Sequence, residues 1–199
     1  MNEIKLIVGL GNPEPNYSST RHNAGFWLLN SFVRQSNLKW KRDTRSKAEI
    51  ASFQTKTLEN QKVWLLKPSL YMNESGISVY NFSFFYKIKA EQILIVPDEL
   101  DLLPGSIKLK KGGGNAGHNG LKNVQQKLGS ENFWRLRLGI GHPKTIETPI
   151  KNVSDFVLSE PSGEEKKSID LGISLCTKYM NDLLKCNIKN IQNALSKEF

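Results

Sequence analysis

Only three histidines occur in this chain of 199 residues, and one of them, His22, stands in Thr20-Arg21-His22-Asn23 between a loop and a helix. A neutral imidazole near pH 7 can take a proton from water when its other nitrogen is held by an acceptor. On its own, such a histidine serves equally well as a packed or capping residue. Asp98 is the candidate acceptor, because it follows the apolar run Ile93 to Val96 and a carboxylate at the end of a buried strand needs a partner. The pair has the base-and-orienter logic of hydrolytic triads, with water replacing a serine nucleophile. The absence of a Gly-x-Ser-x-Gly elbow and of a cysteine near a histidine favours direct attack by water.

Further polar residues follow the predicted strands. Asn12 comes after the first strand, Asn73 opens a helix after another, and His118 and Asn119 follow a glycine loop. In open α/β sheets ligands bind at the carboxyl ends of the strands, so these residues share one cleft. Each asparagine alone reads as structural, and Asn73 reads equally as a helix cap. Together they suit the gripping of peptide amides, with one of them donating to a tetrahedral oxyanion. In Asp98-Glu99-Leu100-Asp101, three carboxylates could hold Mg²⁺ or Ca²⁺, but no second oxygen-rich cluster completes such a site. Glu99 and Asp101 therefore read as solvated loop acids, and no metal is expected. Gly112-x-Gly114-x-x-Gly117 formally matches the dinucleotide fingerprint, but the acidic residue near the required distance, Glu131, precedes its strand. Gly9-Leu10-Gly11 fails too, with Glu14 at the third glycine position. A dinucleotide enzyme is the alternative from another class. The loop's other reading is a mobile lid, or a backbone that phosphates approach closely.

The elements that must position these groups follow from periodicity. Leu6 to Leu10 is a buried strand, and Asn23 to Gln35 a helix with Asn23 as cap. Ile50 to Gln54 and Val63 to Leu66 pair around a Glu59-Asn60 turn, and Pro68 ends the second strand. A helix runs from Asn73 to about Tyr86, its aromatics packed on more than one side. Ile93 to Val96 and Ile107 to Leu109 are strands, His118 to Leu128 a helix and Trp134 to Ile140 a strand. Two helices follow Ser162. Strands alternating with helices predict a three-layer α/β/α arrangement with a mixed, mostly parallel sheet, residues 1–199 forming one domain.

The formal charge is +9, which suggests a polyanionic partner, nucleic acid first and anionic membrane second. Three basic clusters carry it: Lys39-Trp40-Lys41-Arg42 with Arg45 to Lys47; Lys108, Lys110 and Lys111; and Arg135 with Arg137 on one face of a strand. Two cysteines, Cys176 and Cys186, make no disulfide framework and match no zinc spacing. No apolar run approaches a membrane span, and the N-terminal run is too short for a signal peptide, so a cytoplasmic protein is expected.

Several segments in order resemble the bacterial-type peptidyl-tRNA hydrolases: Gly9-Leu10-Gly11-Asn12-Pro13, Tyr17, Thr20 to Gly25, Lys67-Pro68, Met72-Asn73-x-Ser75-Gly76, Asp98 to Asp101, Gly112 to Gly114 with Gly117 to Gly120, and Arg135 to Gly141. Phe156-Val157-Leu158 extends the match. The resemblance implies a monomer that cleaves the ester joining a peptide to the 3′ end of tRNA, without metal or cofactor and without an obligate protein partner or membrane. By position it makes His22 the base and Asp98 its partner. It places Asn12, Met72, Asn73, His118 and Asn119 in the cleft for the peptide and 3′ end, and Lys110 and Arg137 on the tRNA 5′ phosphate. It also implies that Tyr17 stacks on the terminal adenosine. The chain departs from the family's pattern at Glu14, Leu70, Pro97 and Asn115-Ala116. Plant organelle relatives of the family serve in RNA splicing, so a non-hydrolytic RNA binder is the closest rival.

Overall fold

The computed structural model describes residues 3–55, 61–145, 149–150 and 152–197. The two most apolar strands lie at the middle of the sheet. β1 (Leu6–Gly9) and β5 (Ile93–Val96) are buried along their whole length, as strands covered on both faces must be. They pair in parallel, Leu6 opposite Ile93 and Gly9 opposite Val96. β2 (Lys41–Asp43), β3 (Ala48–Gln54) and β4 (Lys62–Pro68) extend the sheet on the β1 side. β6 (Asp98–Glu99), β7 (Ile107–Lys111) and β8 (Trp134–Gly139) extend it beyond β5. The order is β2-β3-β4-β1-β5-β8-β6, with β7 also on β8. Pairings β1–β4, β1–β5, β5–β8 and β6–β8 are parallel, and the edge pairings β2–β3, β3–β4 and β7–β8 antiparallel.

Side-chain alternation along each strand divides the core in two. Ile7, Leu65, Leu94, Leu136 and Leu138 face α1 (Ala24–Gln35) and the C-terminal helices. Those helices are α5 (Gly163–Lys178), α6 (Met180–Leu184) and α7 (Lys189–Leu195), with the short α4 (Val153–Val157) before them. Leu6, Val8, Leu66, Ile93 and Ile95 face α2 (Ser75–Phe85) and α3 (Asn119–Leu128) through Val79, Phe82, Leu121 and Val124. The result is the three-layer α/β/α domain with a mixed sheet that the sequence predicts. Ser162 and Glu165 form a reciprocal cap that starts α5. Cys176 is buried, and burial pushes its thiol up to about 12, which leaves it inert.

The structure corrects several sequence expectations. Asn23 does not cap α1: its amide instead brackets Asn12, accepting from the Asn12 N–H (2.8 Å) and donating to the Asn12 carbonyl (3.0 Å). Asn73 does not cap α2 either, lying within the 3₁₀ turn Met72–Glu74 that precedes it. The aromatics of α2 are not packed all round, since Tyr80, Phe84 and Phe85 are 42, 73 and 51% exposed. Three helices, not two, follow Ser162. The basic segment at Lys41 forms the edge strand β2. The Glu59-Asn60 turn lies outside the described residues.

Candidate active site

His22 occupies the 3₁₀ turn Arg21–Asn23 that leads into α1. This turn sits directly over the ends of β1 and β5 because Gly25 has no side chain. A Cβ there would lie 2.3 Å from the Val96 carbonyl and 2.5 Å from the Leu10 nitrogen. Arg21, itself buried, braces the same turn from outside. Its guanidinium pairs with Glu165 (2.6 Å), donates to Ser159 Oγ (2.5 Å) and the Glu160 carbonyl (2.8 Å), and lies 4.1 Å from the Phe156 ring centre.

The imidazole of His22 contacts Asp98 through Nδ1, at 2.8 Å from Oδ1 and 3.0 Å from Oδ2. Asp98 is buried on β6, and its Oδ1 also meets His118 Nε2 at 2.9 Å. The tautomers follow from the network. His118 is the N-cap of α3, its Nδ1 accepting from the N–H groups of Gly120 (3.1 Å) and Leu121 (3.3 Å). Its proton therefore resides on Nε2 and points at Asp98. Asp98, an ionised acceptor, likewise draws the proton of His22 to Nδ1. The Nε2 lone pair of His22 is left facing the cavity.

Burial acts first on both titrating groups and is outweighed on both. It pulls the His22 imidazole down, but the charge and hydrogen bond of Asp98 lift it above its usual 6.5. It pushes Asp98 up, yet the two imidazoles hold that carboxyl well below the usual carboxylate range. Among the described residues, His22, Asp98 and His118 are the one group whose ligand atoms cluster closely enough for a metal ion, within 4.8 Å. The tautomers argue against that use, since both nitrogens aimed at Asp98 carry protons and offer no lone pair.

These groups line a cavity of about 880 Å³ together with Asn12, Tyr71, Met72, Asn73, Asn119, Lys110 and Arg137. Asn12 is buried, and its Oδ1 accepts from the Met72 N–H at 2.9 Å. That bond fixes its amide with the NH₂ donor free toward the cavity. Met72 is buried beside α3, where Gly120 makes room for its sulfur: a Cβ at Gly120 would lie 2.5 Å from Sδ. Asn73 and Asn119 are exposed on the rim, at the starts of α2 and α3. Lys110 is exposed on β7, and Arg137 is partly buried on β8. The register pairs Lys110 with Arg135 and Lys108 with Arg137 on one face of that antiparallel pair.

Of the residues named from the sequence, all but Tyr17 line this cavity. Tyr17 lies in the turn Pro15–Tyr17, and the exposed aromatic at the rim is Tyr71, whose hydroxyl donates to Glu14. Four further residues escaped sequence reasoning. Glu99 is not a solvated loop acid: it is 8% exposed and its carboxylate lies 2.5 Å from Arg137 Nε. Arg135 donates to the carbonyls of Gly113 and Gly114 and stacks 4.7 Å from the Phe133 ring centre, tying down the glycine loop. Arg21 and Tyr71 complete the set. The alternation Arg135-x-Arg137 opposite Glu99 was the one available signal, since inward-facing arginines at a sheet edge need acceptors. Pro97 leaves the Asp98 turn intact, its carbonyl accepting from the Leu138 N–H (3.2 Å).

The family profile described as peptidyl-tRNA hydrolase matches residues 6–199. The chain belongs to the peptidyl-tRNA hydrolase family. It is 48% identical to the peptidyl-tRNA hydrolase of Bordetella avium, over 92% of this chain and 86% of that one. It is 46% identical to that of Neisseria meningitidis serogroup A, over 93 and 94%. The crystal structure of peptidyl-tRNA hydrolase from Acinetobacter baumannii superposes with a TM-score of 0.85 at 41% identity, covering 97% of this chain and 94% of that one. Among the described residues no helix is long and apolar enough to cross a membrane.

Proposed function

We propose that this member of the peptidyl-tRNA hydrolase family cleaves the ester between a peptide and the 3′ hydroxyl of tRNA by water attack, with His22 as base. The observation that carries this reading is the Nε2 of His22, the one nitrogen of the two imidazoles that meets no hydrogen-bond partner among the described residues. Water between Nε2 and the ester carbonyl gives its proton to His22 as its oxygen bonds to carbon. The imidazolium that forms is stabilised by Asp98, which stays ionised. The free NH₂ of Asn12 donates to the oxyanion of the tetrahedral intermediate. On collapse the carbon–oxygen bond to the ribose breaks, and His22 returns its proton to the leaving 3′ oxygen. Peptide acid and tRNA are released, and the base is regenerated.

The remaining roles follow from position. Met72 supplies an apolar wall, and Asn73 and Asn119 meet the peptide and the 3′ end. Both nitrogens of His118 are engaged, so it positions Asp98 and touches substrate only through ring carbons. Lys110 and the free edge of the Arg137 guanidinium take the tRNA 5′ phosphate. Tyr17 stacks on the terminal adenosine, and Tyr71 on the cavity rim offers a second ring face. The enzyme acts as a single-domain cytoplasmic monomer, without metal or cofactor, and recycles tRNA for translation. The deciding assay compares N-acetylated with free aminoacyl-tRNA: the first is hydrolysed, the second spared, and His22→Ala stops the reaction while tRNA still binds. Equal cleavage of both substrates would remove the peptide subsite from this reading.

A further inference from the structure

The basic segment around Lys41 and the exposed aromatics of α2 belong to one surface, remote from the cavity. The β2–β3 turn packs along α2. Ser78 Oγ donates to the Lys47 carbonyl (2.8 Å), and Asn81 Nδ2 to the Arg45 carbonyl (3.4 Å). The Arg45 guanidinium lies 3.6 Å from the Phe85 ring centre. Beside it the Tyr80 and Phe84 rings stack at 5.7 Å with planes 25° apart, and Phe85 meets Tyr86 edge-on at 4.9 Å. Phe84 is 73% exposed, an unusual state for a phenylalanine on a helix otherwise well packed. Arg45, Lys47 and Lys87 lie beside these rings with Lys41 on the α2 side of β2, all exposed and none in an ion pair among the described residues. Arg42, in register with Glu49, points to the opposite face. Of the nearby acids, Glu49 is paired with Lys67, while Asp43 accepts only from neutral Ser46 and keeps its charge.

Flat rings in the open beside unpaired cations form the arrangement that binds single-stranded nucleic acid, bases stacking while phosphates meet the cations. We propose that this face is a second RNA-binding surface, which takes unpaired nucleotides on Tyr80, Phe84 and Phe85 and their phosphates on Lys41, Arg45 and Lys47. It is separate from the Lys110–Arg137 wall. β2 and β7 lie at opposite edges of the sheet, six strand spacings or roughly 29 Å apart. Charge favours RNA over an apolar partner, because the exposed cations Lys41, Arg45, Lys47 and Lys87 outnumber the single unpaired carboxylate of Asp43. The stacked Tyr80–Phe84 pair favours it over a lipid surface, because stacking presents a ring face as a base does.

The test is fluorescence anisotropy at low salt with a labelled unstructured 12-nucleotide RNA, and with the same sequence as a duplex. Phe84→Ser/Phe85→Ser and Arg45→Gln/Lys47→Gln should each weaken single-strand binding by about 10-fold or more. Phe84→Trp should retain binding, and Lys110→Ala/Arg137→Ala should leave most of it. The duplex should be indifferent to the serine changes. Turnover of N-acetyl-aminoacyl-tRNA should be unchanged in the ring variants, which also reports that they fold. The proposal is overturned if the serine variant binds the single strand like wild type, or if Lys110→Ala/Arg137→Ala carries the loss instead. It is equally overturned if the rings serve anionic vesicles or a concentration-dependent dimer while RNA binding is unaffected.

Discussion

Asp98 and Glu99 are neighbours on one two-residue strand, both buried, yet they serve opposite ends of the cavity. Asp98 faces two imidazoles and keeps their protons pointed inward, so that a single lone pair on His22 remains for chemistry. Glu99 faces Arg137 and holds its Nε, leaving the rest of the guanidinium and the nearby Lys110 for a polyanion. At the Asp98 end three of the four imidazole nitrogens and both Asp98 oxygens meet other protein atoms, which fixes geometry before substrate arrives. At the other end Lys110 is exposed and Arg137 keeps part of its guanidinium free, and on the proposed reading this end takes a partner recognised by charge. Adjacent carboxylates thus divide the labour, because successive residues of a strand point to opposite sides.

The comparison can be broken at either end. His22→Ala should lower kcat by roughly 10²–10⁴-fold with tRNA affinity intact, measured by single-turnover hydrolysis and binding. A smaller loss would put the proton transfer elsewhere. Arg21→Ala should destabilise the fold by about 3–5 kcal/mol in urea unfolding, because it leaves Glu165 partly buried without its partner. Asp98→Asn should lower kcat/KM by roughly 10²-fold and also move its acid limb. The base works only when neutral, so kcat/KM rises with pH through the His22 pKa. Asp98 raises that pKa, and losing its charge must shift the limb to lower pH. Lys110→Ala or Arg137→Ala should leave kcat unchanged and raise KM about 5-fold at low salt. Each phosphate contact removed should flatten the log–log salt dependence by about 0.9. A fall in kcat instead would place these cations in the chemistry.

The apolar strands and the layered arrangement were legible in the sequence, because buried parallel strands print as continuous apolar runs. His22 and Asp98 were legible because polar residues at strand ends converge in this kind of sheet. The partners of the acids and arginines were not. Glu99 looks like any loop acid until β6 pairs with β8 and brings it to Arg137, 38 residues away. Arg21 pairs with a residue 144 positions later, a separation that no local pattern encodes. The caps failed for a related reason. Asn23 was drawn off the start of α1 by the backbone of Asn12, a tertiary competitor for the same amide. The aromatics of α2 misled because exposed and buried rings share one helical period.

The central claim is that Asp98 holds His22 as its Nδ1–H tautomer with a raised pKa, leaving Nε2 as the base. Nitrogen-15 NMR titration of His22 reads tautomer and pKa together. The account predicts an Nδ1–H imidazole titrating above 6.5, with the same pKa in the acid limb of kcat/KM, and a lower value in Asp98→Asn. An Nε2–H imidazole, or a pKa unmoved by that substitution, would contradict it.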